Sequence, residues 1–377
     1  MLIKNARIVT PDEDFIGVVS IQDGLIHELA RGTTSAAAAL DWQGDYLVPG
    51  LVELHTDNLE KHLSPRPGVM WNTDAAFVIH DAQVAAAGIT TVFDALCIGD
   101  RSNVGIRERE LQVKCANALS RFSQQDLLRA DHFLHLRCEI ATSDVVDAFD
   151  ELADHTLLRL VSVMDHTPGQ RQWQDPQQWR AYQERHGKWT DEKMASALDE
   201  LRDEQQRFAA AHRHAIVARC RSRGVPLASH DDTLVEHVAE AAADGISISE
   251  FPTTLLAAQA ARSQGMEIVM GAPNVVRGGS HSGNVRATEL AQAGLLDILS
   301  SDYVPSSLLH AAFALPGLCD WPLARAIATV SARPAKSVGL NDRGAIQVGL
   351  RADMIRVRLD GTLPVPMATY RVGERVA

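Results

Sequence analysis

The stretch LVELHTDNLEKH, residues 51–62, decides the fold. It follows a Pro-Gly pair and opens with the apolar run of a buried strand. Ionisable side chains then crowd into a few positions: Glu53, His55, Asp57, Glu60 and His62. In an extended chain, residues two apart face the same side, so His55 and Asp57 should point into one space. That pair indicates either a simple His–Asp hydrogen bond or a functional site at the end of a strand.

The same alternation continues along the middle of the chain. Apolar, strand-like runs lie at 50–54, 89–95, 132–138, 157–164, 225–229, 245–249, 266–270 and 295–299, and helix-like stretches separate most of them. Strands that alternate with helices favour a parallel α/β sheet. Eight such strands predict a (β/α)8 TIM-like barrel. No GxGxxG or GxxxxGK[ST] loop occurs, which argues against a nucleotide-binding sheet.

The two ends of the chain have a different pattern. Both contain short strand-like runs separated by turns, as in LIKNARIV near the start and ATYRVGERVA at the end. We therefore predict that 1–49 and 343–377 form one small β-sandwich domain and that 50–342 forms the barrel. A long charged stretch at 173–222 exceeds an ordinary connection and predicts a helical insertion, either a solvated helix pair, a lid or an interface.

Composition narrows the classes of function. The 377 residues carry a formal net charge of −12, which disfavours non-specific nucleic-acid binding. No apolar run has the length of a membrane span, and the N-terminus lacks a signal-peptide pattern. The five cysteines are scattered and odd in number, without a CxxC pair, which fits a cytoplasmic protein.

Polar residues follow the predicted barrel strands where each strand ends, and in a barrel these ends converge. Carboxylates clustered without a cation would repel one another. We therefore predict a divalent metal site, and its candidate ligands are His55, Asp57, Glu139, His166, His230 and Asp302. Imidazoles and carboxylates without thiolates suit zinc first and manganese, iron or cobalt as alternatives. Six ligands leave open whether one ion or two are bound.

Cations and a glycine-rich turn lie just beyond several strand ends and suggest a phosphorylated substrate. Arginine matches phosphate oxygens in a bidentate manner, and exposed amides of a Gly-rich turn can hold an anion. Each arginine alone could equally form a surface ion pair, and the glycines could form a plain tight loop. The candidate substrate-binding residues are Lys61, Arg66, Arg171, Asn274, Arg277, Ser280, His281 and Asn284.

Several long motifs resemble the amidohydrolase superfamily and, within it, the diphosphatases of phosphonate metabolism. They include LVELHTDNLEKHLSPRP, LVSVMDHTPGQRQ, MGAPNVVRGGSHSGNV and LLDILSSDYVPSSLL. The resemblance implies the six metal ligands above, with Glu139 in place of the carboxylated lysine found in many members. It implies that Asp302 is also the general base. The expected substrate is a small phosphorylated sugar phosphonate, alpha-D-ribose 1-methylphosphonate 5-triphosphate, cleaved to the 5-phosphate and pyrophosphate.

Two other functions remain open at this point. One is an amidohydrolase-type deacetylase acting on an N-acyl sugar or amino acid. The other is a metal-loaded barrel that serves as a scaffold in a multiprotein lyase complex. No nucleic-acid or membrane partner is expected in any of these cases, and a homo-oligomer is possible.

Overall fold

The two ends of the chain meet in one sheet. The structure is a computed structural model that describes residues 1–99, 105–186, 189–280 and 283–377. In this part of the chain, its strands are β1 Leu2–Val9, β2 Asp14–Gln22, β3 Leu25–Arg31, β4 Leu40–Asp41, β5 Tyr46–Pro49, β14 Met354–Asp360, β15 Leu363–Arg371 and β16 Glu374–Arg375. They lie in the order β16-β15-β14-β5-β1-β2-β3, with β4 paired to β1.

The middle of the chain forms the barrel predicted from the alternating pattern. Eight consecutive strands pair in parallel through the described residues. They are β6 Leu51–Thr56, β7 Ile89–Ile98, β8 Asp131–Glu139, β9 Leu158–Met164, β10 Leu227–His230, β11 Ile248–Glu250, β12 Glu267–Gly271 and β13 Ile298–Ser300. The first and last strands are joined just beyond their ends, where the Asp57 amide donates to the Asp302 carbonyl at 2.8 Å and the Asp302 amide to the His55 carbonyl at 3.1 Å. These contacts bring the two ends of the chain's barrel segment to one rim.

Helices cover the outside of the barrel. In the described residues they are α1 Asn58–Leu63, α2 Thr73–Ala86, α3 Arg109–Gln124, α4 Val145–Leu152, α5 Pro176–His186, α6 Asp191–Arg223, α7 Val235–Ala243, α8 Leu255–Ser263, α9 Ala272–Arg277, α10 Ala287–Gln292, α11 Ser307–Cys319, α12 Leu323–Ala328 and α13 Ala332–Ser337. The predicted insertion corresponds to α5 and α6. Thr190 accepts a hydrogen bond from the Lys193 amide at the start of α6, and Gly224 ends that helix at φ 66°. No described helix combines the length and apolar composition that a membrane crossing requires.

Apolar side chains pack against both the outer and the inner face of the barrel wall. The outer layer packs strands against helices, and Phe149 of α4 is among its fully buried members. The inner layer plugs the barrel interior, and its strand members include Val52, Leu54, Phe93, Leu160, Ala228, Ile248, Val269 and Ile298. Because this plug occupies the interior, the polar side chains at the carboxyl ends of the strands are confined to the rim.

The connection between the two sheets positions the first barrel strand. Gly50 links β5 to β6, and its amide donates to the Asp353 carbonyl at 2.8 Å. A Cβ at Gly50 would lie 2.3 Å from Oγ1 of Thr90, so only glycine fits this approach. Further along β6 the register against β7 shifts between Glu53 and Thr56, and His55 lies at this irregularity.

Candidate metal centre

The carboxyl ends of the barrel strands surround a cavity of about 850 Å³. Six predicted metal-binding residues line it: His55, Asp57, Glu139, His166, His230 and Asp302. Asp231, the residue after β10, lines it as well. The structure therefore brings together every side chain that the sequence proposed as a ligand, and their contacts divide them into two groups.

The first group consists of His166, His230 and Asp231. Oδ2 of Asp231 lies 3.6 Å from Nε2 of His166 and 3.5 Å from Nε2 of His230. Ligand atoms on a tetrahedral zinc ion with bonds of about 2.1 Å are about 3.4 Å apart. These separations exceed a hydrogen bond and match ligands that share one ion.

Two glutamates fix the imidazoles of the site from behind. His166 donates from Nδ1 to Oε2 of Glu139 at 2.6 Å, and its backbone amide donates to Oε1 at 2.9 Å. Glu250 accepts from Nδ1 of His55 at 3.0 Å and from Nδ1 of His230 at 3.2 Å. Because a carboxylate accepts, each Nδ1 carries a hydrogen, which leaves each Nε2 as the ring nitrogen that can bind an ion.

The second group consists of His55, Asp57 and Asp302, which offer ligand atoms within 4.8 Å of one another. Asp57 is already engaged, because Nη1 of Arg137 donates to its Oδ1 at 2.6 Å. Arg137 lies two residues before Glu139 on β8, and is only 7% exposed. This group therefore combines two carboxylates with a protein cation.

The rim residues differ in the direction in which their surroundings shift their pKa values. Burial, together with the neighbouring Asp57 carboxylate, raises the pKa of Asp302 to about 6. Burial lowers the pKa of His230 and favours its neutral form. For His166, burial acts in the same direction, but the Glu139 and Asp231 carboxylates outweigh it and raise the pKa to about 9. An ion bound at His166 would displace that proton.

The predicted substrate-binding residues are divided between the cavity and other places. Asn274, Arg277, Ser280 and Asn284 line the cavity. Asn274 also braces the chain beyond it, because it accepts from the Ala287 amide at 3.0 Å. His281 lies outside the described residues.

The remaining three cations are not part of the described cavity lining. Lys61 donates to the carbonyl of Tyr303 at the rim. Arg66 is exposed in the loop after α1. Arg171 is buried, pairs with Asp232 and lies 3.3 Å from Glu240, so its charge is neutralised inside the protein.

Several lining residues were not assigned from the sequence. Asp231, just after β10, and Arg137 on β8 both line the cavity. Glu250 ends β11 and lies behind His55 and His230. The period-two pattern could have indicated Arg137, which faces the same side as Glu139. The helical insertion adds an aromatic wall formed by Trp173, Trp179, Tyr182 and Trp189, and α6 adds Ala197, Leu201 and Glu204. The insertion thus forms part of the cavity.

A second buried polar cluster lies between α2 and strands β7 and β8. Asp94 contacts Nε2 of His80 at 2.7 Å and Nδ1 of His132 at 2.8 Å, and Asp81 contacts Nε2 of His132 at 3.3 Å. Asn58 donates to Nδ1 of His80 at 2.9 Å. The two contacts of Asp94 are hydrogen-bond lengths, shorter than the separation of ligands around one zinc ion, so we interpret this cluster as a hydrogen-bond network.

Comparison with known proteins agrees with this architecture. No family model matches the chain. The chain is 44% identical over its full length, and over the full length of the relative, to alpha-D-ribose 1-methylphosphonate 5-triphosphate diphosphatase of Escherichia coli K12.

Among solved structures, 5-methylcytosine deaminase from Klebsiella pneumoniae matches 100% of this chain with 98% of its own, at a TM-score of 0.63 and 16% identity. N-acetyl-D-glucosamine-6-phosphate deacetylase from Mycobacterium smegmatis matches 100% of both chains, also at 0.63 and 16%. The fold is thus that of the amidohydrolase superfamily. Within it, the chain belongs to the family of alpha-D-ribose 1-methylphosphonate 5-triphosphate diphosphatases.

Proposed function

We propose that this chain is a metal-dependent diphosphatase of phosphonate catabolism. It hydrolyses alpha-D-ribose 1-methylphosphonate 5-triphosphate to alpha-D-ribose 1-methylphosphonate 5-phosphate and pyrophosphate. The observation that carries the proposal is the full-length identity of 44% to a curated diphosphatase, in a chain whose barrel rim gathers the required imidazoles and carboxylates. Five cysteines without a disulfide support a reducing, cytoplasmic setting.

His166, His230 and Asp231 are the proposed ligands of the catalytic ion. This set differs from the sequence prediction, since Asp231 joins it and Glu139 becomes the carboxylate that orients His166. Two imidazoles and one carboxylate leave a tetrahedral ion one open position, which is the pattern of catalytic zinc sites. When bound, a divalent ion supplies a more acidic water and stabilises negative charge on phosphoryl oxygens.

Asp302 is the proposed general base. Its carboxylate faces the cavity beside His55 and Asp57, at the end of β13. Asp302 accepts the proton of the attacking water, whose oxygen bonds to the phosphorus nearest the ribose. The bond from that phosphorus to the bridging oxygen breaks, and pyrophosphate leaves with the bridging oxygen.

The loop after α9 is the proposed binding site for the phosphate chain. Arg277 ends α9, and Gly278 turns the chain at φ 77°. Arg277, Gly279, Ser280 and Asn284 all line the cavity. A guanidinium, a hydroxyl and an amide beside glycine amides give the donor groups that phosphoryl oxygens require.

Pyrophosphate release from alpha-D-ribose 1-methylphosphonate 5-triphosphate tests the proposal. The same zinc-loaded sample is assayed against N-acetylglucosamine 6-phosphate for acetate release, with Asp302→Asn as the inactive control. Pyrophosphate release by the wild type alone supports the diphosphatase. Acetate release without pyrophosphate release would favour the deacetylase. Turnover of neither substrate would favour the non-enzymatic scaffold function.

A further inference from the structure

Arg137 is an unusual component of the rim because it is a buried cation within a candidate metal centre. It projects from β8 into the cavity lining and is 7% exposed. Its Nη1 donates to Asp57 at 2.6 Å, whereas its Nε is buried and has no hydrogen-bond partner among the described residues. A buried donor without a protein partner costs free energy unless a water or a ligand satisfies it.

The centre offers two positions for a divalent ion, and Arg137 affects them unequally. At the position formed by His166, His230 and Asp231, the Asp231 carboxylate lies 3.5–3.6 Å from the Nε2 atoms of the two histidines. The position at His55, Asp57 and Asp302 shares Asp57 with the guanidinium. A divalent ion there would compete with Arg137 for the same carboxylate and would be repelled by its positive charge.

Charge balance at the second position also disfavours an ion there. Asp57 and Asp302 bring two negative charges to one place, and a divalent ion is one way to compensate them. Arg137 compensates Asp57 directly, so an ion is no longer required for that carboxylate. Asp302 is then free of a metal and can serve as the base.

We propose that Arg137 takes the place of a second metal ion, so that the chain binds one divalent ion, at His166, His230 and Asp231. The guanidinium holds Asp57 with one donor and binds a phosphoryl oxygen of the substrate with another. The substrate contact rests on the proposed function, whereas the number of ions does not. The centre is thus one metal ion and one arginine, which both act on the phosphate chain.

The test is the metal stoichiometry of the full-length protein, measured by inductively coupled plasma mass spectrometry after dialysis against excess zinc. Wild type should bind one zinc per chain. Arg137→Met, which keeps the side-chain length and removes the charge, should bind two. Arg137→Lys should bind one, because the positive charge remains. Asp57→Asn should also leave one ion bound.

Arg213→Met is the matched control. Arg213 is 4% exposed and donates to Asp244 at 2.6 Å, so it has the burial and ion pair of Arg137 but does not line the described cavity. Its loss should lower the melting temperature and leave one zinc per chain. The control thereby separates general destabilisation from a change at the metal centre.

Two results would overturn the inference: two ions in the wild type, or one ion in Arg137→Met that remains folded by circular dichroism. If Arg137→Met does not fold, Asp57→Asn provides the test. Loss of the single ion of the wild type in Asp57→Asn would overturn the inference, since Asp57 would then be a ligand of that ion. Pyrophosphate release on the same samples judges the proposed function separately. Arg137→Lys should lose at least about tenfold in kcat/KM, because lysine lacks the bidentate geometry of arginine.

Discussion

The buried network of His80, Asp94, His132 and Asp81 predicts an unusual dependence of stability on pH. Burial would lower the pKa of His132, but the Asp94 and Asp81 carboxylates outweigh it and raise the pKa to about 9 from 6.5. A group whose pKa is raised by folding stabilises the protein fully below its unfolded value, and this stabilisation is lost as the pH rises through its folded value. His132 should therefore stabilise the fold at pH 6 and lose that contribution between about pH 6.5 and 9.

The magnitude follows from the two pKa values. One pKa unit corresponds to about 1.36 kcal/mol, so the difference between 6.5 and about 9 corresponds to about 3 kcal/mol. His132→Asn removes the charge and keeps one donor for Asp94. The free energy of unfolding of this variant should fall below that of wild type by about 3 kcal/mol at pH 6, and by much less at pH 9.5.

Urea unfolding of both proteins at pH 6 and pH 9.5 measures this difference. His27→Asn, a change at an exposed histidine of β3, serves as the control and should follow the wild-type profile. Cysteine ionisation in the unfolded chain also reduces stability above pH 8, but it does so equally in every variant. Parallel pH profiles for wild type and His132→Asn would refute the assignment of a buried imidazolium.

Three further predictions concern the metal centre and the core. In Glu139→Gln, the glutamine side chain cannot accept hydrogen bonds from both the amide and the Nδ1–H of His166. Zinc affinity measured by chelator competition should therefore fall about 10–100-fold, and an unchanged affinity would contradict the orienting role of Glu139. Asp302→Asn should lower kcat by about 10²–10⁴-fold with one zinc still bound, and loss of the metal would instead make Asp302 a ligand. Phe149→Ala should lower the free energy of unfolding by about 3–5 kcal/mol because Phe149 is fully buried. The control Leu127→Ala, at a residue 57% exposed, should change it by about 0.5 kcal/mol or less, and equal effects of the two variants would contradict the packing described.

The barrel could be predicted from the sequence because its signal repeats. Each apolar run is followed by polar residues, and the eight runs correspond to the eight strands with shifts of a few residues at their ends. The small sheet had a weaker pattern, yet strands from both chain ends do pair within it. These features depend on local periodicity, which the sequence displays directly.

Which rim residues bind the ion and which pair with one another could not be predicted in the same way. Neighbours on a regular strand face opposite sides, so His230 and Asp231 would not be expected to share an ion. Asp231 has a φ of 57°, which ends the extended geometry of β10 and allows both side chains to face the cavity. Arg171 shows the reverse case, since its charge is used by Asp232 and Glu240 within the protein. Spacing along the chain does not report such pairings.

The rim also explains how a chain with a net charge of −12 could bind a polyanion. The carboxylates of Glu139 and Glu250 accept hydrogen bonds from imidazoles, and the charge of Asp57 is compensated by Arg137. A bound ion would compensate Asp231 in the same way. The cavity then offers a phosphate chain the positive charge of the ion and of guanidinium groups such as Arg277. Local pairing, rather than the total charge, therefore sets the sign of the potential that the substrate meets.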